Sequence, residues 1–305
     1  MTAARCIAAF GVIALALLVT GCEPEQVEPT PTRDLPTPAW TLLPSPTVDP
    51  LLPAGDGSEG VVVGASNPTQ AALAAEGEPD QPVPTRTPLP TQAFLPVTLG
   101  GPDGLLLQGT FYSAAVEPAP AVLLLHMRGS DRSAWEPLAA RLQAAGYAVL
   151  AMDLRGYGAT GGQENWPLAQ DDARAMLAFL AEQGSINGQI VVIGASIGAN
   201  LGLNACVDTP VCAAVVLLSP GLDYRGITTA DALPRLGARP VLIVASEGDN
   251  NNPADSLTLD SLAAGEHQLV ILPAAGHGTA MLTADPALIE QITAWLTARV
   301  PPSLP

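Results

Sequence analysis

The chain of 305 residues contains no lysine; all 12 of its basic residues are arginines. That absence removes lysine nucleophiles, Schiff-base chemistry and a phosphate-loop lysine from consideration. Histidine is almost as scarce: the only three are His126, His267 and His277. Any general base of the imidazole type must be one of them. Neither these histidines nor the 4 cysteines show the spacing of a zinc site, so no metal and no cofactor is expected. Charged residues make up only 13% of the chain and the net charge is −17. A surplus of carboxylates repels a phosphate backbone, so no nucleic-acid partner is expected. What the sequence does have is apolar residues, 48% of the total, enough for one sizeable core plus appendages.

Residues 1–22 read as an export signal. Arg5 supplies a positive start, and Cys6 to Val19 is a continuous apolar stretch, short of the ~20 residues that span a bilayer. The stretch ends Val19-Thr20-Gly21-Cys22, which resembles the bacterial lipobox. That resemblance implies acylation of Cys22 and a lipid anchor holding the chain to the outer face of a bacterial membrane. An ordinary cleaved signal or a short uncleaved anchor are the alternatives. Residues 23–96 then change character, with proline, threonine and glutamate dominating (PEQVEPTPTRDLPTP, PDQPVPTRTPLPTQ). Proline removes donors and fixes φ, so the segment reads as a disordered, semi-extended tether. Within it, Val61 to Ala75 is less polar and reads as an apolar piece of linker.

From Val97 to Val300 the pattern is globular, followed by a tail at 301–305. Phe94 to Leu99 and Leu105 to Phe111 flank Gly100-Gly101-Pro102-Asp103-Gly104, a hairpin signature. Strands and helices alternate afterwards. Strands are expected at Ala121 to Leu125, Ala148 to Asp153, Ile190 to Ile193, Ala213 to Leu218, Val241 to Ala245 and His267 to Leu272. Helices are expected at Ser133 to Ala145, Pro167 to Gln183, Leu201 to Ala205, from Ala254, and at Asp285 to Ala298, with a short one at Thr228 to Leu236. Continuous apolar strands separated by amphipathic helices predict an α/β fold, a mostly parallel sheet covered on both faces.

The centre of this pattern is Gln189 to Gly202, QIVVIGASIGANLG. An apolar strand runs into Gly194-Ala195-Ser196-Ile197-Gly198 and then into a helix. Strand and helix must pass close together there, so the flanking residues have to be tiny. A second serine, in Val61-Val62-Val63-Gly64-Ala65-Ser66, lacks the closing glycine and is followed by Asn67-Pro68, which prevents a helix from packing back. The segment at Ser196 resembles the nucleophile elbow, G-x-S-x-G, of the α/β-hydrolase superfamily. The resemblance covers about Val97 to Val300, and the sequence looks similar to dienelactone-hydrolase-like and small serine esterases, with serine where true dienelactone hydrolases have cysteine.

That resemblance implies a Ser-His-Asp triad in the chain order serine, acid, histidine, each after a strand. His126 precedes the elbow and His267 opens a strand. His277, in Ala274-Ala275-Gly276-His277-Gly278 after the last strand, is the expected base. The family's acid position falls on Asp249, with Glu247 and Asp255 as rivals. The oxyanion hole is expected from the backbone N–H groups of Ile197 and Met127. Met127 stands in His126-Met127-Arg128-Gly129, which resembles the H-G-x-G turn with methionine in place of glycine. Its side chain either lines the acyl pocket or points away. Asp153-Leu154-Arg155-Gly156-Tyr157-Gly158 matches the superfamily's D-x-R-G-x-G turn and is read as structural, tying loops together. Tyr157, Trp135 and Trp166 could border the site, helix-face packing being the alternative for the tryptophans. Cys206 and Cys212 bracket five residues and form either a disulfide or two buried thiols. Only a short polar piece separates Ser219 from Arg239, so the site is expected to lack a lid. The expected activity is hydrolysis of a small-molecule carboxylic ester through an acyl-enzyme. The alternatives are an exopeptidase of the same fold and an inactive surface binding lipoprotein.

Overall fold

The computed structural model describes residues 94–302. The expected signal with Cys22, the stretch Val61 to Ala75, Ser66, the rest of 23–93 and the last three residues lie outside the described residues. The first strand, β1 (Phe94–Gly100), begins three residues before the expected start of the globular part and pairs antiparallel with β2 (Leu106–Tyr112). The turn between them is the glycine-rich one read from the sequence; Gly104 has φ +84°, a conformation open to glycine.

Eight strands form one sheet in the order β1-β2-β4-β3-β5-β6-β9-β10. From β4 onward it is parallel and built from β3 (Ala119–Leu125), β4 (Ala148–Met152), β5 (Ile186–Ala195), β6 (Cys212–Leu218), β9 (Val241–Ser246) and β10 (His267–Leu272). Successive side chains on a strand point to opposite faces, and here both faces are dry. Leu123, Val192, Val215 and Ile243 enter one apolar core with α2 (Trp166–Glu182), α3 (Ile197–Val207) and α5 (Asn252–Leu262). Their neighbours Val122, Val191, Val216 and Leu242 enter a second core with α1 (Glu136–Ala144) and α7 (Ala287–Arg299). Burial on two faces is the reason these strands read as unbroken apolar runs.

Two departures concern short elements. The single helix expected at Thr228 to Leu236 is shortened to one turn, α4 (Ala232–Arg235), and a two-stranded ribbon, β7 (Asp223–Tyr224) and β8 (Ile227–Thr228), precedes it. The reason is a tertiary tie: the Asn200 side-chain amide donates to the carbonyls of Gly221 and Ile227. Together with the turn at Arg225 and Gly226, both at positive φ, this folds the segment back on itself. A five-residue helix, α6 (Ala280–Ala284), also precedes the final helix, which starts two residues later than expected. No helix among the described residues is long and apolar enough to cross a membrane.

Candidate active site

Parallel strands deliver their following loops to one edge of the sheet, and the loops after β3, β5, β9 and β10 there carry Met127, Ser196, Ile197, Asp249 and His277. Ser196 follows β5 directly and opens α3 with φ 54° and ψ −122°. This is a strained backbone for a residue with a Cβ. Its N–H donates to the Leu218 carbonyl (2.8 Å), and its carbonyl accepts from Ala199 (2.9 Å) and Asn200 (3.2 Å). The two glycines beside it are compelled by space. A Cβ on Gly194 would overlap the backbone of Gly198, and one on Gly198 would overlap the carbonyl oxygens of Leu125 and His126. The strain at Ser196 is therefore held in place from both sides.

His277 follows β10, between Gly276 (φ +85°) and Gly278 (φ +58°). Its Nδ1 lies 2.7 Å from Asp249 Oδ2. Asp249 follows β9 and is buried, whereas Glu247 is exposed and Asp255 accepts from the Leu222 N–H (3.2 Å). Of the three carboxylates, Asp249 is the one that meets the imidazole. Because an ionised carboxylate only accepts, Nδ1 carries the proton, and Nε2 is left as the basic nitrogen. The loop of His277 is brought to Ser196 by close packing. A Cβ built on Gly278 would stand 3.4 Å from the Cβ of Ala195 and 2.8 Å from Met127 Sδ.

That contact also answers where the Met127 side chain goes. It packs against Gly278 and the core formed with α1 and α7. His126, beside it, is fully buried. Its Nε2 accepts from the Leu154 N–H (2.9 Å) and its Nδ1 meets the Met127 carbonyl (2.7 Å). One ring nitrogen accepts while the other donates, so the imidazole is neutral and its tautomer fixed. Burial pushes its pKa below the ordinary histidine value, against smaller opposing effects from the Met127 carbonyl and Asp153. His126 is thus a structural pin for the loop that presents the Met127 N–H. Ile197 is the first residue of α3, so its N–H has no intrahelical acceptor. Among the described residues, neither N–H meets a protein acceptor.

Around the mouth, Arg128 pairs with Glu164 (3.0 Å), and Glu164 also accepts from the Tyr157 hydroxyl. Burial and the neighbouring Glu164 push the Tyr157 phenol up to about 12. Tyr157 stands edge-on to His126 at 5.4 Å and tilted toward Trp166 at 6.5 Å, whereas Trp135 is fully buried in the second core. The D-x-R-G turn does tie loops, but its two charges do not pair with each other. Asp153 takes Arg132 and the Ala159 N–H, while Arg155 grips buried Asp172 (2.6 and 2.7 Å) and Asp103 (3.0 and 3.2 Å). His267 is exposed at the start of the edge strand β10. Cys206 and Cys212 form a disulfide. Among the described residues no three His, Cys, Asp or Glu side chains are grouped to hold a metal.

A mostly parallel sheet with a strained serine on the turn from β5 to α3, and an Asp–His pair on the loops after β9 and β10, defines the class. The chain belongs to the α/β-hydrolase family. The profile of the hydrolase family described as serine aminopeptidase, S33, matches residues 116–246. An uncharacterized protein of Mycobacterium tuberculosis is 31% identical over 215 residues, covering 64% of this chain and 76% of that protein. Among solved structures, an esterase of Pyrococcus furiosus superposes with a TM-score of 0.60 at 17% identity, covering 69% of this chain and 92% of the other. A dienelactone hydrolase of Anabaena variabilis gives 0.59 at 21% identity, with coverage of 68% and 99%.

The neutral, buried His126 has a consequence for stability. The unfolded chain gains a proton at this residue below about pH 6.5, and the folded chain resists it. Stability is therefore expected to be fully present above that pH and to fall as the pH drops below it. Urea unfolding from pH 7.5 to pH 5 should show the decline, and His126→Gln should flatten it; a variant with the wild-type slope would contradict this account.

Proposed function

We propose that this chain is a serine hydrolase of carboxylic esters that works through an acyl-enzyme intermediate. The observation that carries the proposal is the 2.7 Å contact from His277 Nδ1 to Asp249 Oδ2, beside a serine in a strained turn. A serine hydroxyl is a weak nucleophile until a base takes its proton. In the proposed sequence, His277 Nε2 removes the Ser196 proton as Oγ attacks the ester carbonyl carbon. The oxygen that gains charge is received by the N–H groups of Met127 and Ile197, which cost no reorganisation because their loops are already fixed. Asp249 stabilises the imidazolium. The C–O bond to the alcohol then breaks, and the alcohol leaves with the proton from His277. Water, deprotonated by the same nitrogen, attacks the acyl carbon and releases the acid, restoring Ser196.

The substrate class follows from what surrounds the site. Between β6 and β9 there is only the short ribbon and the single turn of α4, with no inserted lid domain. Such an open mouth suits soluble, small to medium esters. The family description as a serine aminopeptidase favours a second reading, an exopeptidase of the same fold. Capture of a peptide amino group would call for a free carboxylate at the mouth, and Glu164 is already engaged by Arg128 and Tyr157. That pairing supports the ester reading.

Purified protein should be labelled by a fluorophosphonate at Ser196. Ser196→Ala should lose the label and lower ester turnover by at least about 1,000-fold, as expected for a triad nucleophile. Labelling that persists in the alanine variant would refute the assignment. A panel of p-nitrophenyl esters against aminoacyl anilides separates the two readings, and faster anilide turnover would favour the peptidase.

We further propose that Cys22 is acylated and holds the domain to the outer face of a bacterial membrane, with residues 23–93 as the spacer. The sequence order of Arg5, an apolar stretch and Val-Thr-Gly-Cys supports this. In a bacterial host, the wild-type chain should sediment with membranes and Cys22→Ser should appear in the soluble exported fraction. Equal partitioning of the two would contradict the anchor.

A further inference from the structure

The geometry points to Ser219 as a positioning residue for the proposed base and acid, a role that neither the elbow motif nor the triad order assigns. Ser219 is the first residue after β6, is fully buried, and has φ 50°. A serine without a function is poorly suited to that place. Positive φ favours glycine, and a hydroxyl taken out of water must find partners at both its donor and its acceptor.

Its hydroxyl finds both, and both belong to the site. It donates to Asp249 Oδ2 (3.0 Å), the same oxygen that meets His277 Nδ1 at 2.7 Å. It accepts from the Gly278 N–H (2.9 Å), the peptide directly after His277. One oxygen thus fixes the carboxylate and the backbone of the histidine loop at once. Ser219 is itself anchored, since its N–H donates to the Val244 carbonyl (2.8 Å). Its carbonyl accepts from the Tyr224 hydroxyl (3.4 Å), and the Tyr224 ring stands edge-on to His277 at 6.4 Å. The joint runs from β6 through Ser219 to the loops after β9 and β10.

The chemical role follows from the donor set. Asp249 Oδ2 must receive the imidazole proton at one angle for Nε2 to face Ser196. A second donor on the same oxygen restricts rotation of the carboxyl group, and the tie to Gly278 restricts the imidazole from its other end. Neither contact touches a reacting atom. Ser219 therefore acts on the rate of acyl transfer and not on substrate binding. This inference rests on the ester-hydrolase reading.

The test uses Ser219→Gly and Ser219→Ala in the full chain. Glycine relieves the positive φ while removing the hydroxyl, so a loss of activity in that variant is not a folding defect from backbone strain. Fluorophosphonate titration counts active sites, and kcat is expressed per titrated site. The expected result is a fall in kcat of about 10- to 100-fold in both variants, the loss that one hydrogen bond to a charged group implies, with KM within about twofold of wild type. The low-field proton resonance of His277 Nδ1–H should broaden or move in both. Wild-type kcat per titrated site with an unmoved resonance would overturn the inference, as would a loss confined to the number of titrated sites. A wild-type protein that takes no fluorophosphonate would instead defeat the hydrolase reading itself.

Discussion

Helix α3 runs so close beneath β3 and β5 that there is no room for a methyl group at either contact. Gly198 lies on the carbonyls of Leu125 and His126, and Gly194 lies on the backbone of Gly198. Such an approach requires a very sharp turn between strand and helix, and the turn leaves Ser196 in a backbone conformation that side chains avoid. Strain of this kind survives only where the surroundings over-determine it. Here the surroundings are eight hydrogen-bonded strands and two apolar cores. The site is one result of that packing: with α3 fixed, the Ile197 N–H and the loop of His126 and Met127 are fixed too, because Gly198 touches both.

The other half of the site reaches Ser196 through Gly278. Its missing side chain lets the histidine loop settle against Ala195 and Met127, and buried hydroxyls hold that loop from the sheet side. Ser219 Oγ accepts from Gly278 and Ser246 Oγ accepts from Ala275 (2.6 Å). Both serines stand at the ends of parallel strands, β6 and β9. The sheet therefore supplies the position of the loop as well as the loop itself. The departure from the H-G-x-G pattern fits the same joint, since the methionine at 127 fills the gap that Gly278 leaves.

Much of this was legible in the sequence, and the reason differs by feature. The strand–turn–helix at Ser196 is local: glycines at fixed offsets report a steric need that any reader can recognise. The Asp249 and His277 loops were readable because apolar strands count them off in order. Ser219 and the pin made by His126 were not, since each depends on a partner far along the chain. A buried serine at positive φ looks like any loop serine until its neighbours are known. The helix expected at Thr228 to Leu236 came out shorter for the same cause. Helix-compatible composition around Leu233 does give a turn of helix, but its start is cut back because Asn200, on a helix packed above, binds the carbonyls of Gly221 and Ile227 and holds the preceding residues in a ribbon. The split of Asp153 and Arg155 between different partners is also a tertiary matter.

The central claim is that Ser196, His277 and the two N–H groups of Met127 and Ile197 meet at one point at the end of the sheet. A crystal structure of the chain after reaction with a small alkyl fluorophosphonate tests it most directly. The account predicts phosphorus bonded to Ser196 Oγ, with the phosphoryl oxygen within hydrogen-bond distance, about 2.7–3.1 Å, of both N–H groups and His277 Nε2 on the opposite side. An adduct on another residue, or a phosphoryl oxygen turned away from Met127 and Ile197 into solvent, would contradict it.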